Sequence, residues 1–258
     1  MSQYVNKTIR VFGLVLICVL PLPRATGTSA IALRSRYRVV LGVDSRAVYG
    51  ANRNGSECKL FEIHDIYATV AGLAHYGQTY RATDAIRDGF ARPGNFESHV
   101  AATAYSLRQR VEKLLTDLQQ TNPGAYRSLL LQSSQASDFV QLAMAQTVRG
   151  QPMLGIIELR RDSAKDSFMV RTMVCPGDCG PSAGIFYLGY WERIEPYVAD
   201  AGQPRSIASA AAIDRLIRME IDAHPAEVGA PINILELNGS GARWLQNGGN
   251  CSLPGVGW

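Results

Sequence analysis

With 258 residues, 47% of them apolar, the chain is long enough for one large domain with a sizeable core. Its formal charge of +4 includes Lys7, Arg10 and Arg24, which precede Thr28 with no acid among them, so the remainder carries only +1. That balance excludes the basic footprint of a nucleic-acid-binding or anionic-membrane-binding protein.

Residues 1–27 have the anatomy of a secretory leader. Lys7 and Arg10 form a positive start, Val11 to Leu22 is an apolar run, and Pro21 and Pro23 end it. A run of twelve is short beside the roughly 20 apolar residues that cross a bilayer, so no permanent membrane anchor is expected. Small Ala25 and Gly27 occupy the −3 and −1 positions of a cut between Gly27 and Thr28. The rest, 28–258, reads as a single domain in a periplasmic or secreted protein.

Short strands are predicted at Ser29 to Ser35 and Arg38 to Asp44, around the basic turn Arg36-Tyr37, and at Lys59 to Ile63 and Ile66 to Ala71, around His64-Asp65. From about Tyr80 to Leu131 the period becomes helical. Val100, Ala104, Leu107, Val111, Leu114, Leu115 and Leu118 share one face, after a candidate cap at Asn95. Strands resume at Phe139 to Thr147, Met153 to Arg160, Phe168 to Val174 and Ile185 to Gly189. Ile213, Leu216, Ile217 and Ile221 mark a second amphipathic helix, and Ile232 to Leu237 a last strand. The Gly- and Asn-rich tail from Asn238 is expected to be irregular. Two helical layers around two packed antiparallel sheets, an α+β αββα sandwich, would bury all these faces.

Outside the leader the cysteines are Cys58, Cys175, Cys179 and Cys251. An even count in an exported chain suits two disulfides, with three pairings open. Cys175 and Cys179 are close enough to close a tight loop, which would leave Cys58 for Cys251. A metal centre is not expected, because His64, His75, His99 and His224 are scattered along the chain.

The chemistry is concentrated at one sheet end. A hairpin centred on Arg36 sets Thr28 across from Asp44, and a second, centred between His64 and Asp65, sets Lys59 across from Val70, two residues before Gly72. If the hairpins are neighbours, a hydroxyl, a carboxylate, an ammonium and a flexible backbone amide gather together. A threonine hydroxyl is a poor nucleophile until a base is within reach, and an N-terminal threonine brings an α-amine of pKa about 7.7–8.0. Lys59 would favour the deprotonated forms of both groups, Asp44 would hold the lysine, and the Gly72 amide could stabilise an oxyanion.

The stretch from Thr28 to Asp44-Ser45-Arg46 resembles the opening of proteasome β subunits and their bacterial relatives, in which a Gly-Thr junction precedes two strands ending in Asp-Ser-Arg. Lys59-Leu-Phe-Glu-Ile63 is similar to that family's lysine strand, and Tyr67-Ala-Thr-Val-Ala-Gly72-Leu to the strand ending at its oxyanion glycine. The resemblance implies an N-terminal-nucleophile hydrolase with Thr28 as nucleophile, Asp44 and Lys59 tuning it, Gly72 as oxyanion donor and Val70 in the substrate pocket. It implies a peptide or amide substrate and no cofactor, with assembly into a homo-oligomer common among relatives. An exported chain lacks ATP, so no ATPase partner is expected. Two places depart from the family pattern. Gly189-Tyr190-Trp191 stands where a Gly-Ser-Gly is usual, and Pro225-Ala-Glu-Val228-Gly229 lacks the usual Asp and Ser, with Asp222, His224 and Glu227 as nearby polar residues. The departures keep a rival reading open, a catalytically silent binding or assembly subunit.

Overall fold

A computed structural model describes residues 27–49, 53–135, 138–162, 167–180, 184–200, 209–249 and 251. The apolar part of the leader lies outside them. The strands are β1 (Ser29–Arg34), β2 (Arg38–Asp44), β3 (Arg46–Tyr49), β4 (Arg53–Ser56), β5 (Leu60–Ile63), β6 (Ile66–Gly72), β7 (His75–Tyr76) and β8 (Tyr80–Arg81). Helices α1 (Ala82–Phe90), α2 (Phe96–Thr121) and α3 (Pro123–Gln135) follow, then β9 (Val140–Val148), β10 (Gln151–Asp162), β11 (Ser167–Cys175) and β12 (Gly184–Gly189). Helices α4 (Ile194–Asp200) and α5 (Ala210–Ala223) lead to β13 (Ile232–Asn238) and β14 (Gly241–Gln246).

Two five-stranded sheets carry the fold, one ordered β12-β1-β2-β13-β14 and the other β11-β10-β9-β6-β5. They meet face to face through small and branched side chains, among them Ala30, Leu41 and Val43 from the first and Ala71, Ala143 and Leu154 from the second. The opposite face of the second sheet packs Ile66, Leu142 and Ile157 against Ile86 of α1 and Val100 and Leu107 of α2. On the first sheet, Ile31, Leu33 and Val40 pack against Ile194, Ile213 and Ile217. Alternation along each strand sends successive side chains into different clusters, which is why β1 and β2 are buried along nearly their whole length.

The expectation of a clear four-layer αββα sandwich is corrected here. Of the described residues 42% are strand and 33% helix. The helical cover is unequal, with α1, α2 and α3 grouped on one sheet and only α4 and α5 on the other. Two accessory two-stranded ribbons, β3-β4 and β7-β8, lie outside the five-stranded sheets.

Several local expectations also change. The predicted helical region breaks into three helices, and Asn95 caps the second, its Oδ1 accepting from the Ser98 N–H at 2.9 Å. The first hairpin is shifted by one residue. Its register is Ala30↔Val43 through Arg34↔Val39, because Ser35 and Arg38 close the turn, the Ser35 N–H donating to the Arg38 carbonyl. Ser29 rather than Thr28 therefore stands across from Asp44. The second hairpin pairs Leu60 with Thr69 and turns through His64 and Asp65, both with positive φ, as a two-residue turn matched to strand twist requires. The tail is not wholly irregular, since β14 pairs with β13.

Cys58 is joined to Cys251, and Cys175 to Cys179. Among the described residues no helix is long and apolar enough to cross a membrane.

Candidate active site

The Gly27–Thr28 junction lies at the start of β1, between the ends of both sheets. Thr28 is buried, and its carbonyl accepts from the Tyr190 N–H at 2.8 Å, just past the end of β12. Ser29 Oγ donates to the Tyr190 carbonyl at 3.0 Å. Gly189, the last residue of β12, has φ +76°, and a Cβ there would come within 1.8 Å of the Thr28 carbonyl oxygen. Only glycine permits so close an approach of two backbones. Gly189→Ala is therefore expected to displace Thr28 and to lower stability by about 1–3 kcal/mol, as overpacking and a strained backbone do. Urea denaturation checks this, and a variant as stable as wild type would show that the junction yields freely.

Asp44, at the end of β2, is fully buried. Its Oδ1 accepts from the Ser29 N–H at 3.0 Å, and its Oδ2 from the N–H groups of Arg46 and Gly229, each at 3.0 Å. Lys59, just ahead of β5, donates Nζ to both oxygens at 3.0 and 3.1 Å. The same Nζ donates to the Gly27 carbonyl at 2.6 Å. Burial drives the Lys59 ammonium below the usual lysine range, with Asp44 pulling the other way. Burial likewise pushes the Asp44 carboxyl up, opposed by Lys59 and by the N–H groups of Gly229 and Ser29. A lysine so placed exchanges its proton more readily than a solvated one, while the carboxylate fixes where it points.

Gly72 ends β6 with φ +80° and pairs with Val140 of β9. Its neighbour Ala71 is close to Gly189, 3.2 Å from where a Cβ would stand there. Val70 is only 2% exposed and packs into the helix-covered core, so its side chain borders no open surface. A strut joins the two sheets beside Thr28. Gln141 of β9 accepts the Gly189 N–H at 2.7 Å and donates to Asp138 at 2.8 Å, and Asp138 is in turn held by Arg160.

Thr28, Asp44 and Lys59 thus come together, with Gly72 at the neighbouring strand end. The sequence reading missed the contributions of Ser29, Tyr190, Gly229 and Gln141. Three of these act through backbone groups, which leave no mark on residue type. The Gly-Tyr and Val-Gly pairs flagged as departures were the available signal.

No protein-family model matches the chain, and no curated protein does. Among solved structures it is similar to a Gly-1 mutant of Anbu from Hyphomicrobium sp. strain MC1, at 15% identity and a TM-score of 0.49, covering 82% of each chain. It is similar also to Anbu, an ancestral beta-subunit, from Yersinia bercovieri, at 14% identity and a TM-score of 0.49, covering 84% of this chain and 86% of that one. A further Anbu structure from the same Hyphomicrobium strain has 12% identity and a TM-score of 0.46, covering 84% of this chain and 87% of that one. These findings correct the resemblance drawn from the opening strands. No family model matches the chain, and at 12–15% identity these structures do not make it a member of the family that the resemblance implied.

Proposed function

We propose that this chain is an exported hydrolase that cuts amide or peptide bonds with Thr28, once the bond to Gly27 is broken. The observation that carries this reading is the buried Lys59–Asp44 pair placed on the Gly27–Thr28 junction, with Lys59 Nζ 2.6 Å from the Gly27 carbonyl oxygen. In the intact chain the Thr28 nitrogen is an amide and has no basicity to offer. Lys59 polarises the Gly27 carbonyl. The Thr28 hydroxyl adds to its carbon, the C–N bond breaks, and the nitrogen gains the proton as the acyl group moves to oxygen. Water then hydrolyses the ester and leaves a free α-amine and hydroxyl on Thr28.

In the mature protein that amine takes the hydroxyl proton as Oγ attacks a substrate carbonyl, and returns it to the departing amine. The Gly72 N–H stabilises the oxyanion, and water releases the acyl group from Thr28. Lys59 keeps amine and hydroxyl biased towards their deprotonated forms, and Asp44 keeps Lys59 in place. Export is supported by the leader anatomy and by two disulfides, which persist in oxidising compartments. The rival, a binding subunit without turnover, is favoured by the fully buried Val228 and by Tyr190 in place of polar supports.

N-terminal sequencing of protein recovered from an exporting host is expected to read Thr28 first. A probe that bonds to both the amine and the hydroxyl of an N-terminal threonine should label it and leave Thr28→Ala unlabelled. Any other mature N-terminus removes the base and ends the proposal. A chain that begins at Thr28 and never labels supports the binding subunit instead.

A further inference from the structure

The sequence scatters its histidines, yet the fold gathers one of them with two carboxylates. Glu220 lies in the last turn of α5 and His224, four residues on, is its C-cap, while Glu192 approaches from the turn between β12 and α4. His224 Nε2 is 3.6 Å from Glu220 Oε2 and 3.7 Å from Glu192 Oε2, and the three ligand atoms lie within 4.8 Å of one another.

The decisive group is Glu220. It is 0% exposed, and its Oε1 accepts the N–H groups of Arg193 and Ile194 at 2.6 and 3.0 Å. Its Oε2, which faces His224, is buried without a hydrogen-bond partner. Among the described residues no lysine or arginine side chain forms an ion pair with Glu220 or Glu192. A buried carboxylate oxygen left bare is costly, and 3.6 Å is too long for a hydrogen bond from imidazole to remove that cost. A cation between the three groups would remove it.

We propose that Glu192, Glu220 and His224 bind a divalent transition-metal ion of the zinc type. Ligands about 2.0–2.1 Å from a tetrahedral ion stand about 3.3 Å apart, so the two separations from His224 need to close by only a few tenths of an ångström, while the exposed Glu192 side chain must swing further to bring its oxygen towards Glu220. One imidazole among carboxylates selects zinc over magnesium or calcium, which take oxygen alone. The His224 ring is already steadied by the Tyr190 ring, their centroids 4.4 Å apart. Three protein ligands leave a position for water. The ion would tie α5 to the turn whose Tyr190 N–H holds the Thr28 carbonyl, but the site stands whether or not Thr28 is a nucleophile.

The test is calorimetric titration of tag-free, chelator-stripped full chain with Zn²⁺. One ion per chain is expected, with a rise in Tm and weaker binding of Mg²⁺ and Ca²⁺. Glu192→Gln and His224→Asn should each weaken Zn²⁺ binding at least tenfold with the near-ultraviolet circular dichroism of wild type. Glu220→Gln keeps an acceptor for the Arg193 and Ile194 N–H groups and should weaken binding likewise. No saturable binding, binding indifferent to all three substitutions, or a preference for Ca²⁺ would overturn the assignment.

Discussion

Thr28→Ala should lower turnover of any amide substrate the wild-type chain cleaves by about 10⁴-fold or more, the scale on which losing a nucleophile costs an enzyme. In the proposed mechanism the substitution removes the hydroxyl that attacks and, in the intact chain, the hydroxyl that opens the bond to Gly27. It removes little else. Thr28 is buried, so losing two side-chain atoms leaves a small void worth about 1 kcal/mol, and the bond between its carbonyl and Tyr190 is untouched. The melting transition should therefore stay close to wild type while turnover vanishes. Thr28→Ser keeps the hydroxyl and should retain most of the rate. Turnover within tenfold of wild type in Thr28→Ala would place the nucleophile elsewhere.

Asp44→Ala is expected to be the most destabilising single change in the site, by about 3–5 kcal/mol, because it strands a buried ammonium. Lys59 would lose both carboxylate contacts while still 7% exposed. The N–H groups of Ser29, Arg46 and Gly229 would lose their acceptor at the same moment. Lys59→Met is the informative contrast. It also strands a buried charge, the Asp44 carboxylate, but leaves that carboxylate with all three backbone donors, so it should cost less stability while still abolishing turnover. The urea midpoint reads the order wild type, Lys59→Met, Asp44→Ala. Equal stability of the two variants would show that the backbone donors do not depend on Asp44.

Much of the layout was legible because it rests on side-chain pattern. The apolar runs of β1 and β2 and the spacing from Val100 to Leu118 each point to one buried face, and Asn95 announces a helix start. The one-residue slip in the first hairpin was not legible, since turn geometry at Ser35 and Arg38 decides register and several turns suit those residues. Strand β14 was hidden by Gly239, Gly241 and Arg243, a composition that reads as loop until β13 offers an edge to pair with. The candidate site divides in the same way. Asp44 and Lys59 advertise themselves by type, whereas the Gly229 amide and the Tyr190 amide are contributions any residue could make. Glu220 and His224 had the spacing of a helical pair, but Glu192 joins them only through tertiary packing.

The bond between Cys58 and Cys251 gives the molecule a covalent topology with practical meaning. Everything from β5 to β14 belongs to a closed ring, and the stretch carrying Thr28 and Asp44 is an open arm attached to it beside Lys59. A protease nick in any loop of the ring leaves one connected molecule, visible as two pieces only after reduction. A cut at Gly27–Thr28 falls on the arm and releases its fragment with both disulfides intact. The arm itself is kept in place without a covalent bond, by the pairing of β1 with β12 and β2 with β13, by core packing and by the Asp44–Lys59 ion pair, so Thr28 and the ring-borne lysine are joined by no crosslink.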